Sequence, residues 1–333
     1  MSWLEQRWYQ NRPAPLWLWP LEQLYKKVVA RRRAAYQSGQ KKAYKAAVPV
    51  IVVGNITVGG TGKTPVVLWL IEYLRAAGYK PGVVSRGYGA KAPLYPYPVN
   101  NRTLPENGGD EPCMLARRTG CPMVIDPNRA AAARFLLEHY DCDLIISDDG
   151  LQHHALARDI ELVVIDGSRG LGNRHCLPAG PLREPAERLK QVDFIIHNGQ
   201  GVDDPNALMM KLQPAAFVSL HGKESVPVDQ WQHKAVHAVA GIGNPTRFFD
   251  TLRQQDIRPI EHPFPDHHAY CVDDLCFADA LPVVMTEKDA VKASRFKKIN
   301  GWYLTVSAEL PPEFGAALLN KLDMISHKVK HHG

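Results

Sequence analysis

Residues 50–65 read Val-Ile-Val-Val-Gly-Asn-Ile-Thr-Val-Gly-Gly-Thr-Gly-Lys-Thr-Pro. An apolar, β-branched run enters a glycine-rich turn, and the residues after the turn have a helical pattern. Glycines let consecutive backbone N–H groups face one anion, and a following helix adds its positive N-terminal end. The stretch therefore predicts a phosphate-binding loop, called the phosphate loop below, made of Gly59, Gly60, Thr61, Gly62, Lys63, Thr64 and Pro65.

Two side chains of the phosphate loop carry its predicted chemistry. Lys63 would reach the β- and γ-phosphates of a nucleotide, and the Thr64 hydroxyl would ligate Mg²⁺. Thr57 stands where the strict motif has its first glycine, so the loop is a variant close to the GGxGK[ST] form. The alternative is a glycine-rich strand–helix turn that carries Lys-Thr by chance. The order of strand, loop and helix favours phosphate binding.

The composition places the chain among folded intracellular proteins. Its 333 residues are enough for one large α/β domain and a smaller one. The net charge of +6 is mild for this length, and none of the six cysteines forms a CxxC pair. We therefore expect free thiols in a reducing cytosol. No apolar run reaches about 18 residues, so we expect no membrane-spanning helix.

The first 48 residues differ from the rest of the chain. They hold four of the seven tryptophans, and eight basic residues with no acidic one lie between positions 26 and 45. A helix is predicted over 16–36, with one side formed by Leu16, Trp17, Leu21, Leu24, Tyr25, Val28 and Val29. Aromatic and aliphatic residues beside a basic face suit the interface of an anionic bilayer. Packing of the apolar side on the protein's own domain is an equal alternative by composition.

Two other interpretations of this N-terminal segment are less favoured. The positive charge follows the apolar residues rather than preceding them, which argues against a cleaved signal peptide. No recognised nucleic-acid module accompanies the basic stretch, so we expect no nucleic-acid partner. The segment is therefore predicted to lie on a membrane surface or to pack on the protein itself.

From residue 50 onward, apolar runs alternate with helical patterns. The predicted strands are 50–53, 82–85, 123–125, 144–147, 162–165 and 194–196. Fully apolar strands that alternate with helices predict a parallel sheet covered on both faces, which binds ligands at the carboxyl ends of its strands. We divide the chain into an interface segment (1–48), a phosphate-loop domain (49–205), a linker (206–234) and a smaller α/β domain (235–333).

Pairs of carboxylates follow one predicted strand and one glycine turn. Asp148 and Asp149 end an apolar strand, where a phosphate-loop fold holds Mg²⁺ directly or through water. Asp-Asp-Gly is also good turn chemistry, which is the alternative. Asp110 and Glu111 follow a Gly-Gly pair and precede a helix. Taken alone, Asp110 is predicted to be no more than the N-terminal cap of that helix.

Further polar residues stand in loops between the predicted elements. Arg86 and Tyr88 lie among glycines after a strand, and Arg183 and Glu184 lie between prolines. Arginines at such positions suit a phosphorylated substrate, although a loop salt bridge is the plainer interpretation. The Gln152-His153-His154 run lacks the spacing of a zinc site, so no zinc is assigned.

Together these segments resemble one family, the tetraacyldisaccharide 4′-kinases, also called lipid A 4′-kinases. The matching segments run in order over most of the chain, at 54–65, 85–89, 109–112, 148–153, 178–185, 264–267 and 286–289. The phosphate loop alone is shared by many nucleotide-binding proteins, whereas the set in this order is specific.

The resemblance implies an activity and a place in the cell. It implies ATP-dependent phosphorylation, with Mg²⁺, of the 4′-hydroxyl of an acylated glucosamine disaccharide 1-phosphate, which gives lipid IVA. It implies a peripheral protein on the anionic lipid surface at the cytoplasmic face of the bacterial inner membrane. We infer no obligate protein partner. It also implies a phosphate-loop domain joined to a smaller α/β domain by a thin connection.

The resemblance further implies roles for single residues. Asp110 would be the base that accepts the sugar hydroxyl proton, paired with His267 from the second domain, while Lys63 would contribute to catalysis. Glu111, Asp148 and Asp149 would surround the metal together with Thr64. The residues expected near the substrate are Arg86, Tyr88, Gln152, His153, Arg183 and Glu184. The doubled histidine leaves open whether His267 or His268 faces the site.

Two other functions compete with the kinase. A GGxGK[ST]-type ATPase could switch a partner at a membrane, but Val58 stands where such proteins often carry a signature lysine. A nucleotide-gated membrane adaptor without turnover is the non-enzymatic alternative. Phosphorylation of a sugar acceptor would exclude both.

Overall fold

The computed structural model describes residues 3–10, 14–199, 207–222 and 224–330. Its helices are α1 Trp3–Tyr9, α2 Trp19–Gln37, α3 Lys63–Ala76, α4 Pro105–Gly108, α5 Asp110–Thr119, α6 Arg129–His139, α7 Pro245–Gln254, α8 Glu287–Ala293 and α9 Pro312–Lys330. Its strands are β1 Val50–Gly54, β2 Pro81–Ser85, β3 Tyr97–Val99, β4 Met123–Ile125, β5 Leu144–Asp148, β6 Ile160–Asp166, β7 Phe194–Asn198, β8 Leu208–Ser219, β9 Ser225–Pro227, β10 Ala235–Ala240, β11 Arg258–Pro263, β12 Val283–Thr286 and β13 Gly301–Glu309.

The first unit is the predicted parallel sheet. Its strands lie in the order β7-β6-β1-β5-β2-β4, all parallel, and β3 adds an antiparallel edge. Every residue of β1, β2, β5 and β6 is buried, as expected for strands covered on both faces. Helices α3 and α5 pack on one face, and α6 packs on the other. The carboxyl ends of β1, β2 and β5 therefore open toward one edge.

The second unit is a smaller sheet in the order β11-β10-β12-β13-β8, followed by β9 on the far side of β8. Strands β10 to β13 are parallel to one another, and β8 runs antiparallel to β13. Phe248 and Phe249 of α7 fill its core on one side. Strand β12 is apolar up to Met285, and the Thr286 side chain caps the helix α8 that follows.

The predicted linker over 206–234 contains strands rather than irregular chain. Residues 208–210 of β8 pair with β7 of the first unit, and residues 211–219 pair with β13 of the second. One strand thus joins the two sheets. Its Gln, Lys and Pro content hides the strand in the sequence, because pairing on both units rather than local propensity stabilises it. The predicted boundary at 205/206 itself lies outside the described residues.

The C-terminal helix α9 packs on the first unit, not within the predicted domain 235–333. Phe314, Leu318 and Leu322 are buried in the same core as α3 and α5. The Phe314 and Trp69 rings lie 5.2 Å apart, and Lys321 forms an ion pair with Asp193. The chain therefore passes through the second unit and returns, so the two units have two covalent connections.

The predicted N-terminal helix begins at Trp19, after a 3-10 turn over Leu16–Leu18. It faces the first unit with a mostly polar side. Glu22 is 1% exposed and accepts hydrogen bonds from the Cys176 N–H at 3.0 Å and from His175 Nδ1 at 2.9 Å. An i,i+4 ion pair to Lys26 completes its contacts.

The apolar side of this segment points outward. The exposed large side chains are Leu16, Trp17, Trp19, Leu21, Leu24 and Val28. Tyr25 and Val29 of the predicted apolar side are half-buried instead. The Tyr25 hydroxyl donates to the Arg183 carbonyl at 2.9 Å and holds the ring against the first unit. Packing of the apolar side on the protein's own domain is thus not what the structure has.

Replacement of Phe314 tests the return of α9 to the first unit. Phe314 is 1% exposed, so we expect Phe314→Ala to cost about 3–5 kcal/mol of stability through lost burial and a cavity. The urea midpoint of unfolding measures this loss. Met324→Ala, on the same helix at 60% exposure, should change stability by less than about 0.5 kcal/mol. Equal, small effects of both variants would contradict the packing of α9.

Candidate active site

The phosphate loop lies between β1 and α3, as the sequence predicts. Gly59 and Gly62 have φ values of +96° and +90°, which L side chains rarely adopt. A Cβ on Gly62 would lie 2.1 Å from Asn198 Nδ2, so the position requires glycine for space as well as for conformation. The helix α3 begins at Lys63 and points its N-terminus at the loop. This arrangement is suited to binding an anion.

Lys63 and Arg183 converge on Asp149. Lys63 Nζ lies 3.4 Å from Asp149 Oδ1, and Arg183 Nη1 lies 3.4 Å from each carboxylate oxygen. Burial opposes ionisation, but Lys63 and Arg183 outweigh it and hold the pKa of Asp149 below its ordinary value. Asp149 therefore stays charged, in a left-handed backbone conformation with φ of 47°.

The neighbouring Asp148 has the opposite character. It is buried at the end of β5, where Ser85 Oγ donates to its Oδ2 at 3.2 Å, and its Oδ1 has no hydrogen-bond partner among the described residues. Burial, with the charges of Glu111 and Asp149, raises the pKa of Asp148 to about 7. A buried carboxylate oxygen without a partner, in a field of other carboxylates, fits a bound cation.

The donor set fits Mg²⁺ only with ligands from outside the protein. In the described part of the chain, no group of three or more His, Cys, Asp or Glu side chains is close enough to hold a metal. Mg²⁺ usually takes one or two carboxylates, keeps several waters and binds substrate phosphates. Asp148 together with the Thr64 hydroxyl, next to the phosphate loop, suits that mode.

Asp110 is bound across the two units. It is the first residue of α5, and the cap position is held by Gly109, with no side-chain cap hydrogen bond. Asp110 is thus not the N-cap that its local sequence predicts. Its Oδ2 lies 3.0 Å from His267 Nδ1, from the loop after β11. His268 instead contacts Asp274 at 3.0 Å, so His267 is the imidazole that faces the site.

Two lysines of α8 lie beside these acids, and neither has a role among the predictions from the sequence. Lys288 Nζ is 3.2 Å from Glu111 Oε1 and 3.3 Å from Asp266 Oδ1. Lys292 Nζ is 3.9 Å from Asp110 Oδ2. Their i,i+4 spacing on a helix capped by Thr286 was the available signal, but it could not tell which acids they face.

The predicted substrate residues fall into two groups. Arg86, Tyr88, Gln152 and Arg183 line a cleft of about 740 Å³ that also contains Lys63, Asp148 and His267. The Tyr88 ring lies 5.1 Å from the His267 ring. Arg86 and Tyr88 are largely exposed there.

The other two predicted substrate residues lie behind the cleft wall. Glu184 is 1% exposed and accepts a hydrogen bond from Gln152 Nε2 at 2.8 Å. His153 Nε2 accepts a hydrogen bond from the Arg129 N–H at 3.2 Å. Burial and nearby arginines lower the pKa of His153 to about 4, so the ring is neutral. Both residues support the wall rather than form it.

A second cavity of about 910 Å³ adjoins the cleft at the start of α3. Thr64, Leu68 and Met114 of the first unit face Phe248 and Leu304 of the second across it. Asn198 and Arg247 line both cavities, and neither residue stands in a motif that would mark it in the sequence. The site thus lies between the two units.

The raised pKa of Asp148 predicts a pH-dependent stability. Its folded-state value of about 7 exceeds its ordinary value of 3.8, so its contribution to stability is lost as the pH rises from about 4 to 7. Without nucleotide or metal, we expect the free energy of unfolding of Asp148→Asn to exceed that of wild type by up to about 4 kcal/mol at pH 8. Near pH 4 the two free energies should be equal. A constant difference across this range would contradict the burial argument.

Comparisons with known proteins agree with the motif-based prediction. A family model described as tetraacyldisaccharide-1-P 4′-kinase matches residues 14–323. A tetraacyldisaccharide 4′-kinase of Pseudomonas fluorescens (strain Pf0-1) is 55% identical over 310 residues, 93% of this chain and 92% of that protein. One of Pseudomonas aeruginosa (strain LESB58) is 52% identical over 310 residues, 93% of each chain.

A solved structure is similar over nearly the whole chain. It is a crystal structure of LpxK from Aquifex aeolicus, described as an "apo" form in complex with ATP, with 29% identity and a TM-score of 0.77. The match covers 94% of this chain and 98% of that one. The chain therefore belongs to the tetraacyldisaccharide 4′-kinase family, which confirms the fold class, the kinase activity and the lipid A 4′-kinase function predicted from its motifs.

Proposed function

We propose that this kinase moves the γ-phosphoryl group of ATP onto the 4′-hydroxyl of a tetraacyldisaccharide 1-phosphate in the cleft between its two units, with Asp110 as the base. The observation that carries the assignment is the 3.0 Å contact of Asp110 with His267, which meets it from the second unit. The same cleft contains Lys63 and Asp149. The partner of the proposed base, His267, and a phosphate-binding cation thus line one cleft, and Asp110 contacts that partner.

The phosphate loop is the proposed site of the triphosphate. A phosphoryl-transfer transition state spreads negative charge over its equatorial oxygens, so catalysis is mainly positioning and electrostatic stabilisation. The backbone N–H groups of residues 59–65, the N-terminus of α3 and the Lys63 ammonium supply that field. The relative from Aquifex aeolicus, crystallised with ATP, supports this location.

Mg²⁺ is the proposed cofactor. Thr64 and Asp148 would hold it, with Glu111 and Asp149 close enough to act directly or through water. When bound, Mg²⁺ would neutralise charge on the phosphates. The buried Asp148 Oδ1 has no hydrogen-bond partner in the part of the chain that the structure describes, and this observation favours a cation at this place. Lys63 and Arg183 hold Asp149 ionised beside it.

Asp110 is proposed to take the proton of the sugar hydroxyl. A hydroxyl is a weak nucleophile, and a positioned carboxylate within hydrogen-bond reach typically contributes a factor of about 10² to 10⁴ in rate. His267 donates to or shares a proton with Asp110 Oδ2, which fixes the carboxylate and leaves the other oxygen for the substrate. Because His267 belongs to the second unit, the pair exists only where the two units meet.

The acceptor is proposed to lie against Arg86, Tyr88 and Arg183. The two arginines suit the 1-phosphate or sugar hydroxyls, and the exposed Tyr88 ring next to His267 offers a face for a sugar. Two hydrogen bonds are proposed to hold this wall in place. One joins Gln152 to Glu184, and the other joins the Arg129 N–H to His153.

The kinase is proposed to work at the cytoplasmic face of the inner membrane. No helix in the described residues is long and apolar enough to span a bilayer. The 16–28 segment instead exposes six large apolar side chains, with basic residues following along the same helix. Tyr25 of this helix also lines the cleft, so a membrane under α2 would bring acyl chains to the mouth of the site.

Substitutions of Asp110 and His267 test the base. Asp110→Asn keeps the size of the side chain and should still bind ATP, yet lose about 10²-fold or more of turnover. His267→Ala should lower turnover too, and the double variant should be little slower than the slower single, because the two act as a unit. Mass spectrometry of the lipid acceptor incubated with Mg·ATP measures the product, heavier by about 80 Da, one phosphoryl group.

The control for this series is His268→Ala, which changes the adjacent imidazole that pairs with Asp274. It should keep near wild-type turnover. Asp110→Asn with a near-normal rate would remove the base assignment. Multiplicative losses in the double variant would keep Asp110 as base but uncouple it from His267.

Vesicle binding tests the membrane surface. We expect the full chain to sediment with vesicles that contain phosphatidylglycerol, and binding should weaken as salt rises because screening shortens the reach of the basic residues. Replacing Trp17, Leu21 and Leu24 together with serine should remove most of the binding. Met324→Ser, an exposed apolar residue on α9, is the control and should bind as wild type. Unchanged binding of the triple variant would overturn this assignment.

A further inference from the structure

Arg247 links the second unit to the first at the base of the phosphate loop. It lies in α7, and its Nη2 donates to Asn198 Oδ1 at 2.7 Å, at the end of β7. Its Nη1 lies 3.8 Å from Asp166 Oδ2, and Asp166 is 3% exposed. The guanidinium of one unit is thus held by two buried polar side chains of the other.

Asn198 carries this contact on to the phosphate loop. Its side chain is buried, and its Nδ2 donates to the Thr61 carbonyl at 3.0 Å. The same amide nitrogen occupies the space that a Cβ on Gly62 would fill. The orientation of the Asn198 amide therefore fixes one carbonyl of the loop, and Arg247 fixes the orientation of the amide.

We propose that Arg247 is a positioning residue for ATP, which acts through Asn198 and Thr61 to hold the phosphate loop in its anion-binding form. Peptide N–H groups bind an anion together only if the peptide planes between them keep their orientation. The hydrogen bond to the Thr61 carbonyl fixes one such plane. The inference rests on the proposed role of the loop in ATP binding, and it places part of that binding under the control of the second unit.

Two other roles for Arg247 make different demands. If its guanidinium touched the phosphates directly, its loss would add independently to the loss of Asn198. If it served only to join the two units, its loss would lower the melting temperature and leave the affinity for ATP unchanged.

Arg247→Met removes the donors and keeps much of the side-chain volume. We expect the KM for ATP to rise about ten-fold, which corresponds to about 1.4 kcal/mol, with a smaller change in kcat. The Kd for ATP, measured by calorimetry, should rise in parallel. Arg247→Lys keeps the positive charge and one donor nitrogen in place of three, and should recover part of the loss. Arg253→Met, on the same helix, removes ion pairs to Asp250 and Glu261 that stay within the second unit; it is the matched control and should bind ATP as wild type does.

The combination with Asn198→Ala decides between the roles. If Arg247 acts through Asn198, the double variant should have nearly the KM for ATP of Asn198→Ala alone. Multiplicative effects would show direct contact and overturn the proposal, as would an unchanged KM and Kd in Arg247→Met. Should Asn198→Ala fail to fold, Asn198→Ser takes its place in the single and double variants. Wild-type protein that does not phosphorylate the lipid would instead remove the proposed function.

Discussion

The structure depends on the balance of charge in the cleft. Carboxylates at residues 110–111 and 148–149 converge there from two elements of the first unit, and ionised carboxylates so close together repel one another. Lys63, within the first unit, forms an ion pair with one of them, Asp149. Lys288 and Lys292 reach the 110–111 pair from α8 of the second unit. The second unit is therefore part of the electrostatic site.

Asp148 is the acid that this arrangement leaves least satisfied. The pKa of Asp149 is held low by its cations, whereas that of Asp148 is raised by burial and by its acidic neighbours. Two adjacent carboxylates of one strand end are thus set apart by their surroundings. Such a difference favours a positive ligand at this place, because a bound cation would offset the cost of ionising a buried carboxylate beside other carboxylates.

Each of the two units contributes one residue with a strained backbone to the site. Asp149 and His267 both have positive φ values, at 47° and 61°, which cost of order 1–3 kcal/mol for residues other than glycine. Each is held by its side chain, Asp149 through Lys63 and Arg183 and His267 through Asp110. Both side chains line the cleft, Asp149 from the first unit and His267 from the second.

The sequence was sufficient for whatever is local. The phosphate loop and the strands that end in Asp148 and at Ser85 follow from glycine placement and apolar runs. It was not sufficient for β8, α9 or the outward face of α2, because pairing across units and burial decide these. Arg247 and Asn198 escaped for the same reason: they are 49 positions apart, and only the fold brings them together.

The two connections between the units limit how the cleft can change width. The strand β8 belongs to both sheets, and its pairing with β13 shifts register between Thr305 and Val306, opposite Pro214, which has no N–H to donate. The return path runs from β13 into α9, whose buried face is fixed in the first unit. A change in cleft width would therefore bend the chain near 210–211, where β8 passes from pairing with β7 to pairing with β13, and near 310–311, between β13 and α9. Because His267, Lys288, Lys292 and Arg247 all lie between these two points of the chain, such a bend would move the partner of the base, the balancing cations and the contact to the phosphate loop together.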